Sequence, residues 1–365
     1  MKCVTKIILV LIILVSSAGP SFGQPAREGA LREAHITTPD FTSAFTGTTI
    51  WRETIIESGT KFLRLHFSDI VDRSSEDYSV VIRNYAFKKV FTYSKKSFSA
   101  KADFWTGMIK GDTAVIEVVG AKPPMGLKFV LKEYSFQAET GKVLSVVEPD
   151  EREPVAAYRD DPNISAAAKA VSKLSFLDRG MPVSCTGFMI ADDLLLTNEH
   201  CINTQELCDD ALAIFGYGIT SSGSLADGEE YRCLKLVAKD RRLDYALLQI
   251  DGNPGSQEKW GHLELVARDV VKGEKIYMLQ HPAGEPKQIS MKGCEVHTPQ
   301  ARGRGLDLTD FGHLCDTLQG SSGSPILDTN RHQVVGLHHL GFSSGAWSSE
   351  NRAVQMKLIL PVLPR

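Results

Sequence analysis

Three short stretches hold the residue types from which a nucleophilic hydrolysis can be built. "LLLTNEHCIN" closes an apolar run on Glu199, His200 and Cys201, "RRLDYALLQID" sets Asp244 ahead of a second apolar run, and "GSSGSP" (residues 320–325) places three serines among two glycines and a proline. A serine hydroxyl attacks a carbonyl only when a base takes its proton, and imidazole does this near neutral pH. A carboxylate behind the imidazole orients the ring and stabilises the imidazolium formed during attack. Taken singly, each residue has an ordinary structural reading: His200 as a strand-end residue, Asp244 as a turn or cap residue, and residues 320–325 as a glycine-rich loop.

The three occur in the order His, Asp, Ser. An α/β-hydrolase runs Ser, Asp, His and needs G-x-S-x-G, whose second glycine would fall on Ser324, so that fold fails twice. The segments "CTGFMIADDLLLTNEHC", "DYALLQI" and "GSSGSP" instead resemble those around the triad of chymotrypsin-like (trypsin-like) serine peptidases, and in particular the secreted bacterial glutamyl and lysyl endopeptidases. The resemblance covers roughly residues 180 to 345. It aligns the G-x-S-G-x-P motif on Gly320, Ser322, Gly323 and Pro325. Ser322 is thereby the expected nucleophile, His200 the base, Asp244 its orienting acid, and the backbone N–H groups of Gly320 and Ser322 the oxyanion hole. Ser321 and Ser324 become scaffold. Animal trypsins carry Asp where this chain has Ser321, so their activation switch, in which that Asp pairs with a freed N-terminus, is not expected here.

The resemblance implies a secreted serine endopeptidase acting through an acyl-enzyme on protein or peptide substrates, with no cofactor and no metal. Two rivals remain: a catalytically inert binding protein on the peptidase fold, and a toxin-like peptidase with a single host target. Inert relatives usually lose a triad member, and none is lost here. On substrate preference two signals conflict. Asp316, six residues before Ser322, resembles the trypsin pocket floor, where a carboxylate pairs with Arg or Lys. Thr317 and His338 (in "VVGLHHLG") resemble the pair with which glutamyl endopeptidases hold an acidic side chain. A buried full charge outweighs a histidine that is mostly neutral at pH 7, which tilts the expectation toward basic substrates. Asp316 also follows Cys315 directly and has an equally plain structural reading.

The elements that must position these residues read as strands throughout. Runs such as "KFLRLHF", "YSVVIRNY", "TAVIEVVG" and "LKFVLKEYSF" alternate with period two, with Leu127, Phe129 and Leu131 against Lys128 and Lys132. With turn punctuation between them, they predict a small β-sandwich over residues 24–147. "EPDEREPVAAYRDD" predicts an exposed linker, drawn at 148–171, in which "ISAAAKAV" is a short helical turn. Residues 172–365 return to short strands, so the expected fold class is all-β, a chymotrypsin-like double β-barrel behind the sandwich. "ADFWTGMIKGDTAVIEV" more weakly resembles the region before the catalytic domain in lysyl-endopeptidase precursors, leaving residues 24–147 as pro-region or retained accessory domain.

Residues 1–23 read as a signal peptide: lysines flank the entry to the apolar run Ile7 to Val15, and Ser21 and Gly23 precede a cut ahead of Gln24. The run is too short to span a bilayer. The chain is therefore expected to be secreted or periplasmic, free of the membrane once cut. Losing Lys2 and Lys6 makes the formal charge of -3 two units more negative, and no basic patch suggests nucleic acid. Of seven cysteines only Cys3 precedes the cut. An even set of six in an exported chain without zinc spacing favours three disulfides over metal ligands. Fifteen pairings exist; the nearest-neighbour set, Cys185–Cys201, Cys208–Cys233 and Cys294–Cys315, is preferred. The first of these also resembles the family's brace on the histidine loop.

Overall fold

The structure is a computed structural model describing residues 25–44, 48–137, 144–145, 149–305, 307–341 and 350–364. The signal read over residues 1–23 lies outside them. The first half forms two facing antiparallel sheets. One orders Gly29–Thr37, Leu127–Gln137, Phe62–Asp72 and Phe104–Trp105, with Ile109–Lys110 also on Phe62–Asp72; the other orders Thr49–Ile56, Thr113–Val119, Ser79–Asn84 and Lys89–Ser94. Period-two burial sets this packing. Leu127, Phe129 and Leu131 join Leu65, Phe67, Ile82 and Ile116 in one core, while Lys128 and Lys132 face water.

Phe62–Asp72 departs from simple alternation, because Arg64 and His66 on its other face are buried as well. His66 lies between Glu133 and Asp103 and stacks on Trp105, whereas Arg64 reaches the second half of the chain. The Arg64 guanidinium donates through Nη1 (2.8 Å) and Nη2 to the two carboxylate oxygens of Asp210, at the end of helix Gln205–Asp210. Asp210 also accepts the Leu177 N–H at 2.6 Å, so one carboxylate joins the sandwich to the strand Val171–Asp178.

The second half is two barrels in series. Val171–Asp178, Met181–Met189, Leu194–Thr197, Tyr245–Ile250, Glu229–Asp240 and Leu212–Phe215 close into a six-strand ring. A second sheet of eight strands, from Glu153–Pro154 through Ile276–Gln280, Pro325–Asp328, Val334–Leu340 and Asp310–His313 to Val296–Ala301, curls into a half-barrel. The fold is thus all-β, with a chymotrypsin-like pair of barrels. Cys185–Cys201, Cys208–Cys233 and Cys294–Cys315 are bonded, closing 16, 25 and 21 residues, each worth about 3 kcal/mol in the loop-entropy account.

The stretch read as an exposed linker is exposed or half-buried from 149 to 163, and packs from Ile164 onward. Glu153–Pro154 pairs with Gln288–Ser290 in the second sheet. Helix Pro162–Lys169, capped by Asp161 accepting the Asn163 and Ile164 N–H groups, buries Ile164, Ala167 and Ala168 in the inter-barrel core. Their spacing of three and four places them on one helical face, which the surrounding charges and prolines obscured.

Ala26–Arg27 adds a strand to the edge of the closed barrel at Ser184 and Val183. The next residue anchors it: the Glu28 carboxylate meets Lys173 Nζ at 2.6 Å, both side chains buried. Removing one partner of a buried pair strands the other charge. Lys173→Met is therefore expected to cost about 3–5 kcal/mol and lower the thermal midpoint by roughly 10 °C, with much of the loss restored in Glu28→Gln/Lys173→Met. Calorimetry of the three variants decides this, and equal midpoints for single and double variants would refute it.

Candidate active site

His200 lies just past Leu194–Thr197, and the disulfide from the adjoining Cys201 to Cys185 ties its loop to Met181–Met189. Asp244 stands at the turn into Tyr245–Ile250 with φ 45°, in the left-handed region. Asp enters that region more readily than most residues, and here a dense set of contacts holds it. Its carbonyl accepts Asn198 Nδ2 at 2.8 Å. Its carboxylate Oδ1 accepts the His200 backbone N–H (3.0 Å) and Arg304 Nη1 (2.8 Å), while Oδ2 faces His200 Nδ1 (2.8 Å) and His339 Nδ1 (3.0 Å).

Burial alone would make Asp244 harder to ionise. The charge and hydrogen bond of His200, and then those of His339, outweigh it and hold the carboxyl well below the usual carboxylate range. Facing this carboxylate, His200 Nδ1 must carry a proton, which leaves Nε2 as the basic atom. Among the described residues, Nε2 is buried and makes no hydrogen bond.

Ser322 sits on the turn between Thr317–Leu318 and Pro325–Asp328. Its carbonyl accepts the Thr186 N–H at 2.8 Å, and the Gly320 carbonyl accepts Thr186 Oγ1 at 2.9 Å. Thr186 follows Cys185, so one strand holds both the serine turn and the histidine loop. Two glycines are required here. Gly320 has φ +89° and Gly323 φ +87°, and a Cβ on Gly323 would lie 2.0 Å from the Thr186 carbonyl oxygen. The amides of Ser321, Gly323 and Ser324 donate to Leu318, His338 and Ser321 carbonyls. Among the described residues, those of Gly320 and Ser322 donate to no backbone carbonyl. Ser321 Oγ donates to Gln280 Oε1 and accepts the Leu318 N–H, inside the scaffold.

The pocket residues separate. Asp316 is buried, but its Oδ2 accepts the Glu151 backbone N–H at 2.9 Å, and its carbonyl accepts Gln280 Nε2 and Ser290 Oγ. Thr317 is buried on a two-residue strand paired with Leu144–Ser145. His338 meets His313, Nδ1 to Nε2 at 3.1 Å. Burial first, then neighbouring positive charge, pushes His313 down to about 3 and His338 well below its ordinary value, so both rings are neutral. Sulfurs of Cys185 and Cys201 gather near His200, but their disulfide removes the thiolates that would bind a metal.

Four residues went unremarked in the sequence. His339 links Asp244 to Asp310, with Nε2 2.7 Å from Asp310 Oδ2; Arg304 bridges Asp244 to Glu199 (3.3 Å); His313 backs His338. The doubled histidine in "GLHHLG" was the one available signal. Asp310 and Arg304 had none.

Among known proteins, the chain is 32% identical to Secreted RxLR effector protein 73 of Plasmopara viticola over 228 residues, covering 58% of this chain and 56% of that one. It is 31% identical to Uncharacterized protein y4fB of Sinorhizobium fredii over 166 residues, 43% of this chain and 25% of that one. The chain thus spans about half the length of the first relative and a quarter of the second. Among solved structures it is similar to the Rv3671c protease from M. tuberculosis in its active form (TM-score 0.42, 21% identity, 60% and 86% covered). It is also similar to a Glu endopeptidase in complex with MPD (TM-score 0.41, 24% identity, 58% and 93% covered). Residues 185–337, which include His200, Asp244 and Ser322, match the family described as the trypsin-like peptidase domain.

Proposed function

We propose that the chain is an exported serine endopeptidase that cleaves peptide bonds through an acyl-enzyme. The observation that supports this most directly is the Asp244–His200 pair, whose outer nitrogen Nε2 makes no hydrogen bond among the described residues, together with a serine turn whose Gly320 and Ser322 amides donate to no backbone carbonyl there. In this reading Ser322 Oγ attacks the scissile carbonyl while His200 Nε2 takes its proton. The oxyanion gathers the Gly320 and Ser322 N–H groups, and the imidazolium returns the proton to the leaving amine. Water then repeats the sequence on the acyl-enzyme. Each oxyanion donor supplies about 3–4 kcal/mol of transition-state stabilisation.

Residues 172–365 are the proposed peptidase unit, preceded by a sandwich over 24–147 and a connecting stretch at 148–171. Export through a cleaved signal is supported by the three disulfides, which belong to oxidising compartments. No helix among the described residues is long and apolar enough to cross a membrane. The pocket reading keeps Asp316 as the charge that favours Arg or Lys before the cut. The pairing of His313 with His338 favours a second reading, an acidic side chain held by His338 and Thr317, because a backing imidazole can share the proton that an incoming carboxylate demands.

A serine-directed phosphonate followed by peptide mapping tests the activity: a label on Ser322 is expected, and an unlabelled chain favours the inert binding protein. Peptides differing only at the residue before the cut test the preference. Faster cleavage after Lys and Arg, lost in Asp316→Ser, is expected; faster cleavage after Glu establishes the second reading. Cleavage confined to one host protein would mark a toxin-like peptidase.

A further inference from the structure

We infer that His339 and Asp310 form a positioning unit for the candidate triad, holding the Asp244 carboxylate at the same oxygen that faces His200 and withholding part of its charge from that ring. The inference rests on the triad reading above.

The argument begins with proton count. The His339 ring is fully buried, and both its nitrogens face carboxylate oxygens, Nδ1 at 3.0 Å from Asp244 Oδ2 and Nε2 at 2.7 Å from Asp310 Oδ2. A neutral imidazole has one N–H, so it would turn a lone pair toward one of two buried carboxylates. Two N–H donors satisfy both, which makes the ring an imidazolium with Asp310 as its counter-charge. Burial alone would strip that proton; the Asp310 charge and the hydrogen bonds to both carboxylates outweigh it and push the ring up to about 9. Asp310 is itself fixed: its Oδ1 accepts Thr309 Oγ1 at 2.8 Å, and its carbonyl accepts Gln355 Nε2 at 3.1 Å.

The surrounding charges are few. From its own strand comes His338 and from Asp310–His313, across Asn351–Gln355 in the same sheet, comes His313, both buried and neutral. Arg352, beyond them, is paired with Glu350. Arg304 occupies the other Asp244 oxygen and shares its charge with Glu199. His339 and His200 therefore meet at one atom, Asp244 Oδ2.

The consequence concerns how strongly Asp244 favours a protonated His200. An aspartate facing His200 alone would press its full charge on that ring and keep it protonated to higher pH. A second imidazolium on the same oxygen offsets part of that field, so less of the Asp244 charge acts on the His200 ring. Asp310→Asn removes the counter-charge while keeping size and one acceptor. Burial then returns His339 to neutrality, and the offset disappears.

The acidic limb of the kcat/KM profile, read with the fastest substrate of the peptide panel, is expected to move upward by about 1 pH unit in Asp310→Asn. Asp310→Asn/His339→Gln, which substitutes a neutral amide pair for the ion pair, is expected to show the same shift and serves if the single variant does not fold. An unmoved limb with a uniformly lower rate would mean a merely structural role and overturn the inference, as would a downward shift. The wild-type protein supplies a reading that needs no variant: ring 15N spectra are expected to show both His339 nitrogens protonated at pH 8, and one unprotonated nitrogen refutes the proposal. Failure of the triad reading is distinct, since it would appear as hydrolysis retained in Ser322→Ala whatever the state of His339.

Discussion

Ser322→Ala is expected to reduce peptide hydrolysis by about a million-fold, the scale seen when the nucleophile of a serine triad is removed, while the chain still folds. The turn is held by groups the substitution leaves in place: the Ser322 carbonyl on the Thr186 N–H, the Gly323 N–H on the His338 carbonyl, and the Ser321 hydroxyl on Gln280. None of these is the Ser322 hydroxyl. Thermal unfolding should therefore stay within about 1 kcal/mol of the parent, within the ordinary spread of point substitutions. The substituted enzyme should also lose phosphonate labelling. Activity above a few per cent would place the nucleophile on another residue, and Ser321 and Ser324 are the neighbours to examine next.

Asp244→Asn should cost about 10,000-fold in kcat, the magnitude that the same exchange has in the serine-triad template. The reason lies in hydrogen-bond polarity. Asp244 accepts at every contact its carboxylate makes, with the His200 backbone N–H, His200 Nδ1, Arg304 and His339. An amide can accept on one atom only. Turning its NH2 toward His200 makes Nδ1 an acceptor, drives the ring proton to Nε2, and removes the lone pair that Ser322 needs. Turning it the other way sets the NH2 against the Arg304 and backbone donors. Substrate binding does not use this carboxylate, so the loss should fall on kcat with KM little changed. A loss under tenfold would show that His200 is oriented by something else. Because a buried anion with two cationic neighbours is being neutralised, stability should fall as well, by about 3–5 kcal/mol, and unfolding curves taken with the kinetics separate the two effects.

Much of the fold was legible because its signals are local. A strand with one buried face must alternate, so the sandwich followed from Leu127, Phe129 and Leu131 against their lysines. A serine turn tight enough to need glycine at 320 and 323 writes that need into consecutive positions, and His200 carries its brace, Cys201, as the next residue. The disulfides pair nearest neighbours, so order along the chain sufficed for them. The family likeness added the roles of these residues, which spacing by itself does not contain.

What only the tertiary structure decided is everything made by residues far apart in the chain. Asp244 receives His339 from 95 residues away and Arg304 from 60, and Asp310 reaches the group only because Asp310–His313 and Val334–Leu340 both flank Asn351–Gln355 in the second sheet. No pattern in "LTDFGH" marks an aspartate that faces a histidine across 29 residues. Arg64 is likewise paired with a residue no local pattern could name, Asp210, 146 residues later. Asp316 shows the same limit from the other side: its offset from Ser322 suggested where its backbone lies, but which way the carboxylate is drawn depends on the Glu151 N–H, 165 residues earlier. Local sequence determines backbone conformation and which face of a strand is apolar, because those depend on sterics and burial over a few residues. The charge state and orientation of a buried polar group depend on which partners the fold brings within 3 Å, and those partners come from anywhere in the chain.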